Sequence, residues 1–328
     1  MFALQEVAPD LYWVALPTPE GLSQPWGVPR NVFVFTGASP ALLDTGYAQT
    51  SDNLCAALAE LGISPGEIQR IALTSLHADA AGAVHAFPNA SVWTASAKSS
   101  DKPEDHDQTR HTQVLQALLR HPQKPESWTD DAVERFLALH FPARPSNVQH
   151  LQDGQPLRLG HYILDALQTE GVGYPSAAYF SADRGWLFPG PTATLTPRPV
   201  IDSPGEILDS LGKLGGMSVK RVFPVRGIIE EHPAVFFRAL SLYATNLRSN
   251  MQYVFNTPQS SIDLAESDFG YLPEDLPRFA ALVLEYDAVF REFAEAGVIR
   301  EDSAGYGEGF PRYRMGTPIA SRGPSQPR

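Results

Sequence analysis

The 328-residue chain has a single cysteine, Cys55, so no disulfide can form within it and a reducing compartment suits it. It has no apolar run of membrane-spanning length, and no basic segment followed by an apolar stretch opens it. The expectation is a cytoplasmic protein with no membrane partner. Positive charge is scarce: 25 Lys and Arg stand against 37 Asp and Glu, for a net charge of −12. Binding a phosphate backbone takes clustered cations, so neither nucleic acid nor an anionic membrane surface is an expected partner. No Gly-x-Ser-x-Gly elbow is present, which removes one common mark of a serine hydrolase.

What is present is an ordinary globular composition, 43% hydrophobic and 19% charged, with length for one large domain and a smaller one. The chain is organised around residues 71–82, Ile-Ala-Leu-Thr-Ser-Leu-His-Ala-Asp-Ala-Ala-Gly. An apolar strand stops at Thr74, a loop carries His77 and Asp79, and an Ala-rich helical start follows at Gly82. Loops at the C-terminal ends of strands are held by a rigid sheet and suit a site.

Strands are expected at 11–16, 31–36, 41–44 and 90–95, with Asp44-Thr-Gly46 closing the third. Ser51 to Leu61 reads as a helix that Ser51 can cap, with Leu54, Leu58 and Leu61 buried. Cys55 in that helix reads as a small core hydrophobe. Residues 98–150 read as a helical insertion over one rim, with helices at about 112–119 and 131–139. Its histidines, His106, His111, His121, His140 and His150, lack metal-ligand spacing and read as surface or helix-end residues. Strands return at 153–159, 162–168, 177–180, 186–188 and 221–224, with a short helix at 207–214. After Gly227 come helices at 233–250, 260–266 and around 279–293, then a hairpin from 297–300 and 312–315. Helices followed by a hairpin have the shape of a winged-helix module. Residues 258–315 hold twelve Asp and Glu and five Arg, with no Lys, so packing or dimerisation suits this module better than DNA. Arg312 and Arg314 alone keep nucleic acid open. Residues 316–328 read as a disordered tail.

Taken in order, Asn31, Asp44-Thr-Gly46, Thr74–Gly82, Asp153-Gly154, Thr169–Ser176, Leu187-Phe-Pro-Gly190 and Val222–Gly227 resemble the landmarks of the metallo-β-lactamase fold superfamily. The tail resembles that of the subgroup related to human β-lactamase-like protein 2. The resemblance implies an α+β chain: a four-layer αββα sandwich over residues 1–229 and a winged-helix-like module over 230–315. The family's ligand loop reads Thr-His-x-His-x-Asp-His-x-Gly. Here Ser75 stands at the first histidine, His77 at the second, Asp79 at the aspartate and Ala80 at the last. The third histidine aligns with Val172, the bridging aspartate with Pro191 and the final histidine with Arg226, so two of seven ligand positions remain. In the family those two serve different metals.

Zinc catalysis needs about three protein ligands and an open position for water. No metal or other cofactor is therefore expected; the alternative is zinc held by His77 and Asp79. Without metal, Asp79 and Asp44 are carboxylates in need of a partner. Arg226 can supply the charge, and Glu170 can join the same cluster. Arg226 then either fills a dead site or holds a small carboxylate or phosphate. His77 can hold its loop by a hydrogen bond, and Tyr174 can donate into the pocket or simply pack. The leading expectation is a non-catalytic protein that binds a small anionic ligand or a protein partner. The alternative is a hydrolase with an altered mononuclear site built on His77 and Asp79. The catalytic residues, the ligand and the oligomeric state are not legible.

Overall fold

The computed structural model describes residues 2–20, 22, 27–95, 106–141, 145, 147–172, 174, 176–195, 199–250, 258–307 and 310–315. Seven strands form the first sheet in chain order: β1 (Ala3–Ala8), β2 (Leu11–Leu16), β3 (Arg30–Phe35), β4 (Ala41–Leu43), β5 (Arg70–Leu73), β6 (Ser91–Thr94) and β7 (Val148–His150). The first four pair antiparallel and β4 through β7 pair parallel. Parallel neighbours need a crossover. Helix α1 (Ser51–Glu60) makes the one between β4 and β5, and the short α2 (Ala78–Ala81) lies between β5 and β6. Between β6 and β7 stand α3 (His106–Leu119) and α4 (Asp130–His140). The second sheet runs β8 (Gln155–Leu159), β9 (Tyr162–Thr169), β10 (Ser176–Ser181), β11 (Trp186–Phe188) and β12 (Arg221–Val222), with α5 (Pro204–Gly215) crossing before β12.

Alternation decides which face each residue takes. Phe33 and Phe35 of β3 share a core with Leu164, Tyr179 and Phe188 of the second sheet. Val32 and Val34, the residues between and before them, pack with Leu54 and Leu58 of α1. The other face of the second sheet carries Leu211 of α5 and Phe236 and Leu240 of α6 (Pro233–Asn250).

A fourth core joins two parts of the chain that are far apart in sequence. Leu115, Leu118, Trp128 and Phe136 of the 98–150 region pack with Ile262 of α7 (Ser261–Phe269) and with Phe279, Val283 and Phe290 of α8 (Leu276–Glu295). Trp128 Nε1 donates to the Pro273 carbonyl at 3.0 Å. The described residues end in a hairpin, β13 (Ile299–Gly307) and β14 (Phe310–Met315). No helix among the described residues is long and apolar enough to cross a membrane.

Several local expectations need correction. Thr50, not Ser51, occupies the N-cap of α1, with no side-chain cap bond. The helical turn of the central loop begins after His77 and ends at Gly82. Cys55 is only half-buried beside the α1 stripe, where burial and then Asp52 raise its thiol's pKa. His111 and His121 are buried: His111 lies against the Phe136 and Phe141 rings, and His121 Nε2 lies 2.9 Å from Glu266. The expected tail, 316–328, lies outside the described residues, as do the side chains of His106 and His140.

Candidate functional site

The parallel strands β4 and β5 both end at the same edge, and their C-terminal loops bring Asp44 and Thr74–Asp79 together. Asp44 has φ 62°, a left-handed conformation in which short polar side chains are enriched. Its N–H donates to the Ala72 carbonyl at 2.8 Å, and the next N–H, of Thr45, donates to Ala80 at 2.7 Å. The turn bearing Arg226 is tied to β3: Asn31 Nδ2 donates to the carbonyls of Pro224 and Gly227, each at 2.8 Å. That bond accounts for Asn31 as a landmark. It also sets Arg226 beside the start of β3, where Arg30 stands.

Arg30 is the centre of the site. Its Nη2 donates to Asp44 Oδ2 at 2.5 Å and its Nη1 to Asp79 Oδ2 at 2.5 Å. Its Nη2 also reaches Thr74 Oγ1 at 3.2 Å. Arg226 Nη2 donates to the same Asp79 Oδ2 at 2.6 Å. Asp44 accepts two further bonds at 2.7 Å, from the N–H and hydroxyl of Thr74. Arg30 and Asp44 are each 1% exposed and Arg226 6%, so water does not screen these pairs. Two guanidiniums thus meet two carboxylates, and the cluster balances its own charge. Tyr47, also buried, lies beside Arg226, and burial raises its hydroxyl's pKa.

Burial by itself would push the Asp79 carboxyl up. Arg30, then Arg226, then the bond from His77 outweigh it and hold Asp79 well below the usual carboxylate range. At Asp44 burial wins and lifts the carboxyl above its ordinary value, against Arg30 and the Thr74 donors. Burial opposes the charge of Arg30, but Asp79 and Asp44 raise its pKa. A depressed acid stabilises the fold above its unfolded value, near 4, and that contribution is lost as pH falls through the folded value. Wild-type protein should therefore lose more stability than Asp79→Asn as pH falls below about 4. Urea midpoints at stepped pH check this, and parallel acid limbs for the two proteins would contradict it.

His77 turns its Nδ1 to Asp79 Oδ1 at 3.0 Å, and the Asp79 N–H approaches the same nitrogen at 3.4 Å at the N-cap of α2. Its ring stacks on Tyr174, with centroids 4.7 Å apart and planes 13° apart. The edge of Phe141, following α4, packs against it at 5.8 Å. The insertion therefore reaches over the His77 loop. Ser75 is buried, and its Oγ accepts from the His77 N–H at 3.3 Å. The triad-like spacing of Ser75, His77 and Asp79 thus does not put the serine hydroxyl on the imidazole through any bond of this set.

On the other side of the loop, Thr169, Ser176 and Thr192 close a buried ring of hydroxyls at 2.8–3.0 Å. These residues flank Val172 and Pro191, two of the positions that the family resemblance aligns with metal ligands. A neutral, self-satisfied ring fills the space there, as buried polar groups require. Glu170 stands apart from the charge cluster. Its side chain is exposed, and its N–H and carbonyl engage Ser210 Oγ at 2.9 and 3.0 Å. Alternation along β9 explains this: Thr169 points inward, so the next residue points out. Arg312 and Arg314 each face a carboxylate, Asp263 at 3.5 Å and Asp302 at 3.8 Å.

Arg30, Thr74 and Tyr47 escaped the sequence reading. One signal for Arg30 was available. An arginine opening the apolar run Asn31-Val-Phe-Val-Phe35 is buried only if paired, so it asks for two nearby carboxylates.

The donor set does not fit a zinc centre. Among the described residues no group of three or more His, Cys, Asp and Glu could hold a metal. The Oδ2 atoms of both aspartates face guanidinium N–H groups at 2.5–2.6 Å.

No protein-family model and no curated protein matches the sequence. Solved structures do. A metallo-β-lactamase family protein from Thermus thermophilus superposes with TM-score 0.73 and 19% identity, over 94% of this chain and 100% of its own. A β-lactamase domain protein from Burkholderia ambifaria gives TM-score 0.73 and 17% identity, over 95% and 93%. The stereoselective inverting sec-alkylsulfatase Pisa1 from Pseudomonas sp. gives 0.55 and 17%, over 89% of this chain and 50% of that one. This mixed α/β chain shares the metallo-β-lactamase fold with them. Identities this low establish the fold and leave the chemistry to the site.

Proposed function

We propose that this metallo-β-lactamase-fold chain is a pseudoenzyme: arginines stand where the fold family keeps metal ions, and the protein acts by binding. The observation that carries the reading is Arg30 bridging Asp44 and Asp79 at 2.5 Å to each. A carboxylate oxygen engaged by a buried guanidinium must give up that charge-assisted bond before it can ligate zinc. Hydrolysis by metal-bound hydroxide then has no site to start from.

A small anion would meet a guanidinium that is already engaged. Arg226, the expected anion holder, gives Nη2 to Asp79 and is itself buried. We also read the layers as αββα, with α1 outside one sheet and α5 and α6 outside the other. Residues 230–315 are read as a winged-helix-like module whose helices α7 and α8 pack on the insertion.

The test is metal analysis of protein expressed with added zinc and purified without chelator. The expected result is no stoichiometric zinc and a thermal midpoint unmoved by EDTA. Tightly held zinc, lost in a His77→Ala variant, would overturn the reading in favour of the altered mononuclear hydrolase.

A further inference from the structure

Two aromatic rings from separate segments close on His77: Tyr174 stacks on it at 4.7 Å, and the edge of Phe141 meets it at 5.8 Å. The residue is 7% exposed, and its Nε2 is buried. Phe141 belongs to the insertion, and Tyr174 follows Gly171 and Val172 beyond the end of β9. That second segment is pinned by residues 201–203. Val172 bridges Ile201, and the Asp202 and Ser203 N–H groups donate to the Gly171 carbonyl at 2.9 and 3.3 Å. Gly171 has φ 97°, and a Cβ there would collide with the Ile207 backbone, so the fit is closed to larger residues.

Four charged side chains tie these segments together. Arg110 of α3 pairs with Asp202 through Nη1, and through Nη2 with Asp287 of α8 at 3.1 Å. Arg291, one turn further along α8, returns to Asp202 at 2.9 Å and to Asp287 at 3.3 Å. The ring is closed and neutral, and the side chains of Arg110 and Asp202 are 11% and 4% exposed, so salt screens their pair weakly. Glu285 of α8 adds to the hold, accepting the Ile201 N–H at 3.1 Å and the Tyr243 hydroxyl at 2.9 Å. Both aromatic rings feel this arrangement. Asp202 fixes the segment that leads to Tyr174, and His111, beside Arg110 on α3, meets Phe141 at 5.2 Å.

We infer that Arg110, Asp202, Asp287 and Arg291 form a latch that keeps Tyr174 and Phe141 closed on His77, and that a ligand reaches His77 and Asp79 only when the latch parts. The inference goes beyond the pseudoenzyme reading and does not depend on it, because it concerns access to the site, whatever the site binds. The four are positioning residues, acting on His77 through Tyr174 and Phe141.

Diethyl pyrocarbonate, which acylates accessible imidazoles, reads the opening. Peptide mass spectrometry follows His77 alone, with the half-exposed His161 as internal reference. The full-length chain is compared as wild type, Arg110→Met, Asp202→Asn, their double variant, Arg110→Lys, and Leu58→Ala, which weakens the separate core under α1. All are held at one temperature well below the lowest midpoint. His77 modification should rise about tenfold or more in Arg110→Met and in Asp202→Asn, each of which loses charge-assisted bonds that oppose local opening. The amides of Asp202 and Ser203 should exchange faster in the same variants. The double variant should rise by less than the product of the two, since they share one contact. Arg110→Lys keeps the charge and loses the fork, so its rate should fall between those of wild type and Arg110→Met. It is the second measure if Asp202→Asn does not fold. Leu58→Ala should leave His77 protected.

Unchanged His77 reactivity in Arg110→Met and Asp202→Asn would overturn the inference, as would an equal rise in Leu58→Ala. Those failures leave the pseudoenzyme reading intact, and zinc retained by wild type would sink that reading separately.

Discussion

Asp79→Ala is expected to destabilise the protein by about 3–5 kcal/mol, the cost of breaking a buried ion pair and leaving its partner uncompensated. Two partners are left here. Arg30 Nη1 and Arg226 Nη2 both donate to Asp79 Oδ2, at 2.5 and 2.6 Å, and both guanidiniums are buried away from solvent that could replace it. His77 loses its Oδ1 partner in the same step. The thermal midpoint should fall by about 4–7 °C. Arg226→Met removes one of the two cations and should cost less. Combined with Asp79→Ala it should cost less than the sum of the two, because the residues share one network. Equal or additive losses would mean that Arg226 and Asp79 are not coupled, and the account of the cluster would fail.

The second large effect lies in the core shared by the insertion and the C-terminal helices. Trp128→Ala should cost about 3–5 kcal/mol, the range for deleting a large buried aromatic side chain. The indole is fully buried, lies 5.6 Å from the Phe279 ring, and gives its N–H to Pro273. The core it occupies joins α3 and α4 of the insertion to α7 and α8 of the C-terminal part. Hydrogen exchange should therefore show amides of all four helices losing protection together, while β3 and β10 keep theirs. Loss confined to α3 and α4 would mean that the insertion is a body of its own.

The two central sheets were legible because their strands announce themselves by alternation and by bounding turns. Leu11–Leu16 and Trp186–Phe188 coincide with observed strands, and Tyr162 to Gln168 falls one residue short. β1 was not legible: it is an edge strand whose outward residues leave little apolar pattern. β7 has three residues and exists through its parallel pairing with β6, which no local signal carries. The helix at 207–214 begins earlier, at Pro204, because Ser203 caps it by accepting from the Glu206 N–H at 3.3 Å. That Ser-Pro-Gly-Glu start is a recognisable capping signal.

The site divides in the same way. A buried Asp79 needs a cation, and Arg226 sits in the turn that the fold brings to it. Arg30 was hidden because strand-pattern reading starts at the first apolar-flanked residue, Asn31, and passes over the arginine before it. Glu170 was expected in the cluster because it stands where the resemblance puts a proline. Its side chain falls outside because Thr169 already uses the inward position. The joint core of insertion and C-terminal helices needs contacts across about 150 residues, and no periodicity encodes those.

The central claim is that a guanidinium occupies the place of a metal ion. Its most direct test is a crystal structure of wild-type protein grown with excess zinc and measured at the zinc absorption edge. The account predicts no anomalous peak within the cluster, with Arg30 bonded to both Asp44 and Asp79. A zinc peak bound by Asp79 and His77, with Arg30 swung away, would contradict it.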